Sequence, residues 1–218
     1  MTDTASLDAA QEYQTAAGGM EKKKDFERTV SETVQEKLGF QCGRVFCETY
    51  FNEDAKQDVA SIIRQIIDVY DNRLAHIEWM TESTRQEARK KLKAITVKVG
   101  YPDEWPQDKL SLVLKSPDQG GVYIDNIMEI LKASQDYSFK TRHDPVDRNE
   151  WGMTPQTVNA YYNPGNNEIV FPAGILQAPF YDPQAEPVAN LGGIGAVIGH
   201  ESPMRLTQAD PSMMKRET

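Results

Sequence analysis

Hydrophobic residues recur every three or four positions along most of the first 140 residues, which is the pattern of amphipathic helices. Gly39 is a suitable C-terminal stop for the first helix, and Thr81 is a suitable N-cap for the fourth. The spacing predicts helices over 22–38, 43–51, 59–80, 82–95 and 122–140. We therefore expect a helical region that carries no recognisable chemistry.

The pattern changes beyond a polar, proline-containing segment over 143–151, which we interpret as a crossing between domains. Residues 157–162 and 168–171 favour β-structure and are separated by a dense turn signal, so they predict a β-hairpin or two successive strands. A short β-branched stretch over 96–99 precedes them. After a proline-rich loop, a helix is predicted from about Pro187 into His200 and Glu201.

Composition excludes some classes of function. The 218 residues carry 33 acidic against 24 basic side chains, a net charge of −9. Nucleic-acid binding needs clustered Lys and Arg, so we expect no nucleic-acid partner. Cys42 and Cys47 have the spacing of neither a zinc knuckle nor a disulfide framework. No run of 18 apolar residues and no signal-peptide pattern occurs, so we expect no membrane segment in this chain and make no prediction of its compartment.

The candidate chemistry lies in His200-Glu201, which follows a run of small and apolar residues over 192–199. A zinc peptidase helix carries H-E-x-x-H, because two imidazoles one turn apart then face one metal ion. The glutamate takes a proton from the metal-bound water. A His-Glu pair is common, and by itself it favours an ordinary exposed pair over a metal site. The glycine spacing does not match a phosphate-binding loop, so we interpret the small residues as allowing close helix packing.

Three longer segments are more informative than the His-Glu pair alone. They are Val158-Asn-Ala-Tyr-Tyr162, Asn167-Glu-Ile-Val-Phe-Pro-Ala-Gly-Ile-Leu-Gln177 and Gly192-Gly-Ile-Gly-Ala-Val-Ile-Gly-His-Glu201. Their order and spacing closely resemble the neprilysin-like zinc metallopeptidases of the M13 family, which include endothelin-converting enzymes and bacterial oligopeptidases. Weaker matches upstream extend the resemblance over roughly residues 22–201.

The resemblance implies a mainly α fold with a small β element, in which a helical cap domain precedes the first strands and the zinc helix of a thermolysin-like catalytic domain. We expect a flexible tail over 1–21, the helical domain over 22–141, a linker over 142–156, the first part of the catalytic domain over 157–201 and a non-family tail over 202–218. We also expect residues 22–140 to be the more stable half.

The resemblance also implies roles for individual residues. His200 matches the first zinc ligand and Glu201 the general base. Asn159 and Ala160 match a pair on an edge strand that binds the backbone of a peptide substrate, which agrees with the ability of an asparagine amide to donate and accept hydrogen bonds. The intact family thus implies a zinc cofactor and small peptide substrates.

The sequence departs from the family after Glu201. Met204 stands where the second histidine belongs, and a thioether is a poor zinc ligand beside imidazole and carboxylate. Pro203 predicts a break in the helix, since its ring removes a backbone donor and clashes with the carbonyl of Gly199. The third zinc ligand of the family lies on a later helix, and no match to that helix follows before Thr218. A shifted reading frame or altered splicing after Glu201 would explain the abrupt change.

Two functions remain open at this point. The first is a zinc-dependent metalloendopeptidase of small peptides, represented by a truncated and inactive fragment that does not bind zinc tightly. The alternative is a non-catalytic helical module that binds a peptide or a protein partner.

Overall fold

A computed structural model of the chain describes residues 4–18 and 25–207. The described residues form eight α-helices, two short 3-10 helices (Pro106–Lys109 and Pro117–Gln119) and three strands. The helices are α1 (Thr4–Gly18), α2 (Phe26–Lys37), α3 (Gly39–Tyr50), α4 (Glu53–Ala75), α5 (Glu82–Lys93), α6 (Tyr123–Thr141), α7 (Pro187–Gly192) and α8 (Ile194–Thr207). The strands are β1 (Thr96–Gly100), β2 (Tyr161–Asn163) and β3 (Glu168–Pro172). The predicted fold class, mainly α with a small β element, is confirmed.

The helices follow the predicted pattern closely. The hydroxyl of Thr81 accepts a hydrogen bond from the backbone N–H of Thr84 at 3.2 Å, so the predicted cap of α5 is present. Asn52 caps α4 in the same way, through Ala55 at 2.8 Å. Helix α1 was not predicted, and it lies where the sequence analysis placed a flexible tail. Its alanine-rich sequence has high intrinsic helix propensity, which a search for apolar periodicity overlooks.

The sheet has the order β1-β3-β2. β2 and β3 form the predicted hairpin, with Tyr161 opposite Val170 and Asn163 opposite Glu168. β1 pairs with β3 in parallel, with Thr96 opposite Glu168. All five residues of the central strand β3 are buried, as expected for a strand covered on both faces.

A buried ion pair joins two strands of this sheet. The Nζ atom of Lys98 lies 2.7 Å from Oε2 of Glu168, and Glu168 is 1% exposed. The same ammonium donates to the carbonyls of Arg148 at 2.7 Å and Glu150 at 2.9 Å. These contacts satisfy the charge inside the fold and attach the segment at 148–150 to the sheet.

The chain divides into two compact units that interleave along the sequence. The first unit contains the described residues of Met1–Cys42 together with Trp105–Val146, and the second contains Gly43–Glu104 with the described residues of Asp147–Thr218. The last crossing between units falls inside the polar segment 143–151. The predicted domain boundaries remain predictions. Residues 1–3 and 19–21 of the first predicted tail, 22–24 at the start of the predicted helical domain and 208–218 of the second tail lie outside the described residues.

In the part of the chain that the structure describes, none of the helices is long and apolar enough to span a membrane.

Candidate active site

The approach to His200 is a close turn between two helices. Gly193 separates α7 from α8, with φ −86° and ψ −96°. A Cβ atom at this position would lie 2.3 Å from the carbonyl oxygen of Phe180, so only glycine fits. The backbone N–H of Ile194 donates to that same carbonyl at 2.7 Å. The predicted role of small residues in close packing therefore holds at Gly193, whereas a Cβ at Gly192 would meet nothing within 4 Å.

Helix α8 does not break at Pro203, so that prediction was wrong. The helix continues from Ile194 to Thr207. Two fully buried residues, Ile194 and Ile198, anchor its first half. The carbonyl of Gly199, which a backbone N–H at position 203 would ordinarily bond, accepts a hydrogen bond from the Tyr70 hydroxyl at 2.9 Å. This hydrogen bond from α4 offsets part of the destabilisation that a proline causes inside a helix.

Glu201 is the buried member of the candidate pair. It is 8% exposed and receives a hydrogen bond from the backbone N–H of Tyr162 in β2. Burial raises the pKa of the Glu201 carboxyl above its ordinary value, while nearby His200 and the Tyr162 hydrogen bond act in the opposite direction. The arrangement keeps a carboxylate with a raised proton affinity beside a sheet edge, which is the environment of many proton-accepting groups.

His200 lies at the surface of the same helix and has no companion ligand in the described structure. No three His, Cys, Asp or Glu side chains of the described residues come together as a metal site. One turn beyond His200 the sequence carries Met204. A zinc centre takes three or four imidazole, thiolate or carboxylate ligands, so the donors that are present do not fit this metal.

Asn159 and Ala160 directly precede β2, which is an edge strand of the described sheet. Asn159 is exposed, and its Oδ1 atom accepts a hydrogen bond from the N–H of Ala160 at 2.9 Å. Ala160 is buried. Since Tyr162 of the same strand contacts Glu201, the structure brings the predicted peptide-binding pair and the predicted base to one edge of the sheet.

Two clefts occur at the opposite edge of the sheet, around β1. They have volumes of about 610 and 380 Å³, and Val97 and Val99 line both. None of the four candidate site residues lines either cleft.

Sequence reasoning missed two residues of this region, Tyr70 and Tyr162. Tyr162 acts through a backbone N–H, which no side-chain pattern reveals. Tyr70 lies on α4 and meets α8 only in the folded chain, so spacing along the sequence gave no signal for it.

Comparison with known proteins agrees with this fold. Models of peptidase family M13 match residues 1–102 and 159–211. The second match extends past Glu201 into the segment that the sequence analysis assigned to a non-family tail. Human endothelin-converting enzyme 1 is 41% identical over 175 residues, which cover 79% of this chain and 22% of that enzyme. A neutral endopeptidase of Lactobacillus helveticus is 39% identical over 159 residues, covering 73% of this chain and 24% of that protein.

Solved structures give the same result. The zinc metalloprotease ZMP1 of Mycobacterium tuberculosis superimposes with a TM-score of 0.77 at 40% identity, covering 90% of this chain and 29% of that one. This chain belongs to peptidase family M13, a family of zinc metallopeptidases. It spans no more than about a third of the length of the first curated relatives it matches.

Proposed function

We propose that the whole protein to which this chain corresponds is a zinc-dependent endopeptidase of small peptides, and that these 218 residues alone are inactive. Family membership supports the first part. Human endothelin-converting enzyme 1 and the Lactobacillus helveticus neutral endopeptidase carry peptidase names, and ZMP1 is named a zinc metalloprotease. The second part rests on one observation: the helix that carries His200 and Glu201 has a methionine in place of the second imidazole.

Glu201 is our candidate for the general base. Its burial and its raised pKa support this role, because a base works best when its proton affinity is close to the working pH. The hydrogen bond from Tyr162 fixes the carboxylate next to the sheet edge. His200 is our candidate for the first zinc ligand.

Asn159 and Ala160 are our candidates for binding the peptide backbone. Their position at the start of edge strand β2 supports this role, because an extended peptide can add to a free edge through main-chain hydrogen bonds. The exposed Asn159 amide can both donate and accept such bonds.

A zinc-retention measurement tests the proposal that these 218 residues alone are inactive. The purified chain should keep far less than one zinc ion per molecule after dialysis and should hydrolyse no peptide. The triple change Ser202→Ile, Pro203→Thr and Met204→His should raise zinc affinity by at least about tenfold, since loss of even an outer-shell partner costs about 10–100-fold.

The matched control carries Ser202→Ile and Pro203→Thr but keeps Met204. It separates the restored ligand from the removal of proline, and it should bind zinc no better than the original chain. Stoichiometric zinc in the original chain, together with chelator-sensitive cleavage, would contradict the proposal.

The alternative function, a non-catalytic binding module, is favoured by one observation on the first unit. Helix α6 presents several exposed apolar side chains, Tyr123, Ile124, Met128 and Leu131. Such a surface is typical of partner binding. Peptide affinity measured without zinc distinguishes the two sites: Asn159→Ala should weaken binding at the sheet edge by roughly 2- to 10-fold. The control Asn72→Ala, at an exposed position of α4, should leave it unchanged, and binding that survives Asn159→Ala would favour the α6 surface.

A further inference from the structure

The carbonyl of Gly199 lies one residue before His200, at the point where the helix lacks a backbone donor. In an α-helix this carbonyl would accept a hydrogen bond from the N–H of residue 203. Residue 203 is proline, which has no N–H. The backbone nevertheless remains helical to Thr207.

The hydroxyl of Tyr70 supplies a hydrogen bond to this carbonyl at 2.9 Å. Tyr70 belongs to α4, so the bond joins two elements far apart in sequence. The geometry therefore places a side-chain donor at the one carbonyl that Pro203 leaves without its helical partner.

The ring of Tyr70 is itself held in place. It packs, with Ile67 and Ile77, against the buried cluster of Leu74, Ala88 and Leu92 between α4 and α5. A hydroxyl on a fixed ring loses little side-chain entropy when it bonds, so the contact is more stabilising than one from a mobile side chain.

We propose that Tyr70 is a positioning residue for the half of α8 that carries His200 and Glu201, because its hydroxyl replaces the backbone donor that Pro203 removes. The residue acts through the helix and not on a substrate. The inference does not depend on the proposed function, since it requires neither zinc nor peptide cleavage.

The decisive experiment is a double-mutant cycle between positions 70 and 203, followed by hydrogen exchange in peptides that cover α8. Tyr70→Phe keeps the ring and removes only the hydroxyl. In the original chain it should speed exchange in α8 by roughly 2- to 10-fold, the range of one net hydrogen bond. In a chain that carries Pro203→Ala the N–H of residue 203 occupies the carbonyl, so the same change should have less than about a twofold effect.

Two control variants separate the hydrogen bond from packing. Gly199→Ala adds a methyl group 3.8 Å from the Tyr70 hydroxyl, an ordinary contact that leaves the bond intact, and exchange in α8 should not accelerate. Tyr50→Phe changes a tyrosine that is 65% exposed, and it should leave α8 unaffected.

Two results of the double-mutant cycle would contradict the proposal. Equal acceleration in both backgrounds would mean that Tyr70 acts through packing alone, and no acceleration in either would mean that the bond contributes nothing. If Tyr70→Phe alone prevents folding, recovery by Pro203→Ala supports the proposal and failure to recover contradicts it.

Discussion

The two units of the chain differ sharply in what they bury. Among the described residues, nearly all buried apolar side chains belong to the second unit, including Val59, Ile63, Phe171, Ile194 and Ile198. Among the residues of the first unit that the structure describes, only Ile130 is buried, whereas Phe26 is 78% exposed and Phe139 is 57% exposed. All four candidate site residues lie in the second unit. The unit that contains the candidate site residues therefore has a hydrophobic core of its own.

This contrast changes the expectation about stability. The sequence analysis expects residues 22–140 to form the more stable half, because the strands at 157–172 and the helix at 188–201 would normally pack on further chain. That span mixes the two units, because residues 43–104 belong to the second. Since apolar burial is the dominant stabilising term, we now expect the second unit to resist unfolding better than the first.

A matched pair of phenylalanines gives the largest predicted difference. Phe171 in β3 is fully buried, so Phe171→Ala should reduce the free energy of unfolding of the second unit by about 3–5 kcal/mol. Phe139→Ala, on the exposed face of α6, should change stability by about 0.5 kcal/mol or less. Denaturant titration with segment-resolved hydrogen exchange measures both. Similar losses at the two positions would mean that burial does not distinguish the units.

The buried ion pair in the sheet gives the next effect. Lys98→Met leaves the Glu168 carboxylate without its counter-charge and removes a donor from two carbonyls, so we expect a loss of about 3 kcal/mol. Adding Glu168→Gln should recover part of that loss. The control Lys37→Met, which removes a pair with the exposed Glu36 in the first unit, should cost less than about 1 kcal/mol. Equal costs for Lys98→Met and Lys37→Met, measured by urea unfolding, would argue against a special role of the buried pair.

The ion pair between α4 and α5 gives a smaller effect that depends on pH. Both carboxylate oxygens of Asp71 accept hydrogen bonds from Arg89, at 2.7 and 2.9 Å, and Lys93 lies 3.3 Å away. The Arg89 hydrogen bonds lower the pKa of Asp71 from 3.8 to about 2. A lowered pKa in the folded state means that the stabilisation is complete above the unfolded value near 3.8 and is lost as pH falls towards 2.

Asp71→Asn should therefore cost about 1–2 kcal/mol at pH 7, a figure reduced for solvent screening at this partly exposed site. The cost should shrink as the pH is lowered from about 5 to about 2.5. Unfolding curves of both proteins across this range provide the measurement. A cost that stays constant with pH would show that the charge of Asp71 is not the source of the stabilisation.

The fold could be predicted well from the sequence wherever local chemistry decides it. The Thr81 cap, the turn over 163–167 and the hydrophobic face of α4 each act over a few residues, and the structure contains all three. Helix α1 was missed because it has no apolar face, and the continuation of α8 was missed because it involves a contact with Tyr70 on another helix. Local sequence rules predict that Pro203 lacks a backbone N–H, but they do not predict that Tyr70, far away in the sequence, donates a hydrogen bond to the same carbonyl.

The site was predicted less completely for the same reason. His200 and Glu201 could be named as candidates because two adjacent side chains carry the signal. The environment of these two residues could not be predicted, since the burial of Glu201 and its hydrogen bond from the backbone of Tyr162 depend on the packing of α8 against β2. The two compact units exchange segments along the chain, an arrangement that composition along the sequence does not reveal.

The smallest predicted effect concerns helix capping, which differs among four of the longer helices. Asn52 and Thr81 cap α4 and α5 in the second unit, whereas the N-caps of α2 and α6 in the first unit, Asp25 and Val122, make no side-chain capping bond. Val122 has extended backbone angles and is 48% exposed, so the position suits a capping residue. Val122→Asp should stabilise α6 by about 0.5–1 kcal/mol, because its carboxylate can bond the free N–H groups of the first turn and interacts favourably with the helix dipole.

Hydrogen exchange in α6 should slow by a corresponding few-fold while exchange in α5 stays unchanged, and Val122→Ala should give no such protection. Slower exchange in both helices would mean that the two units unfold together, and the contrast between them would then lie in burial alone.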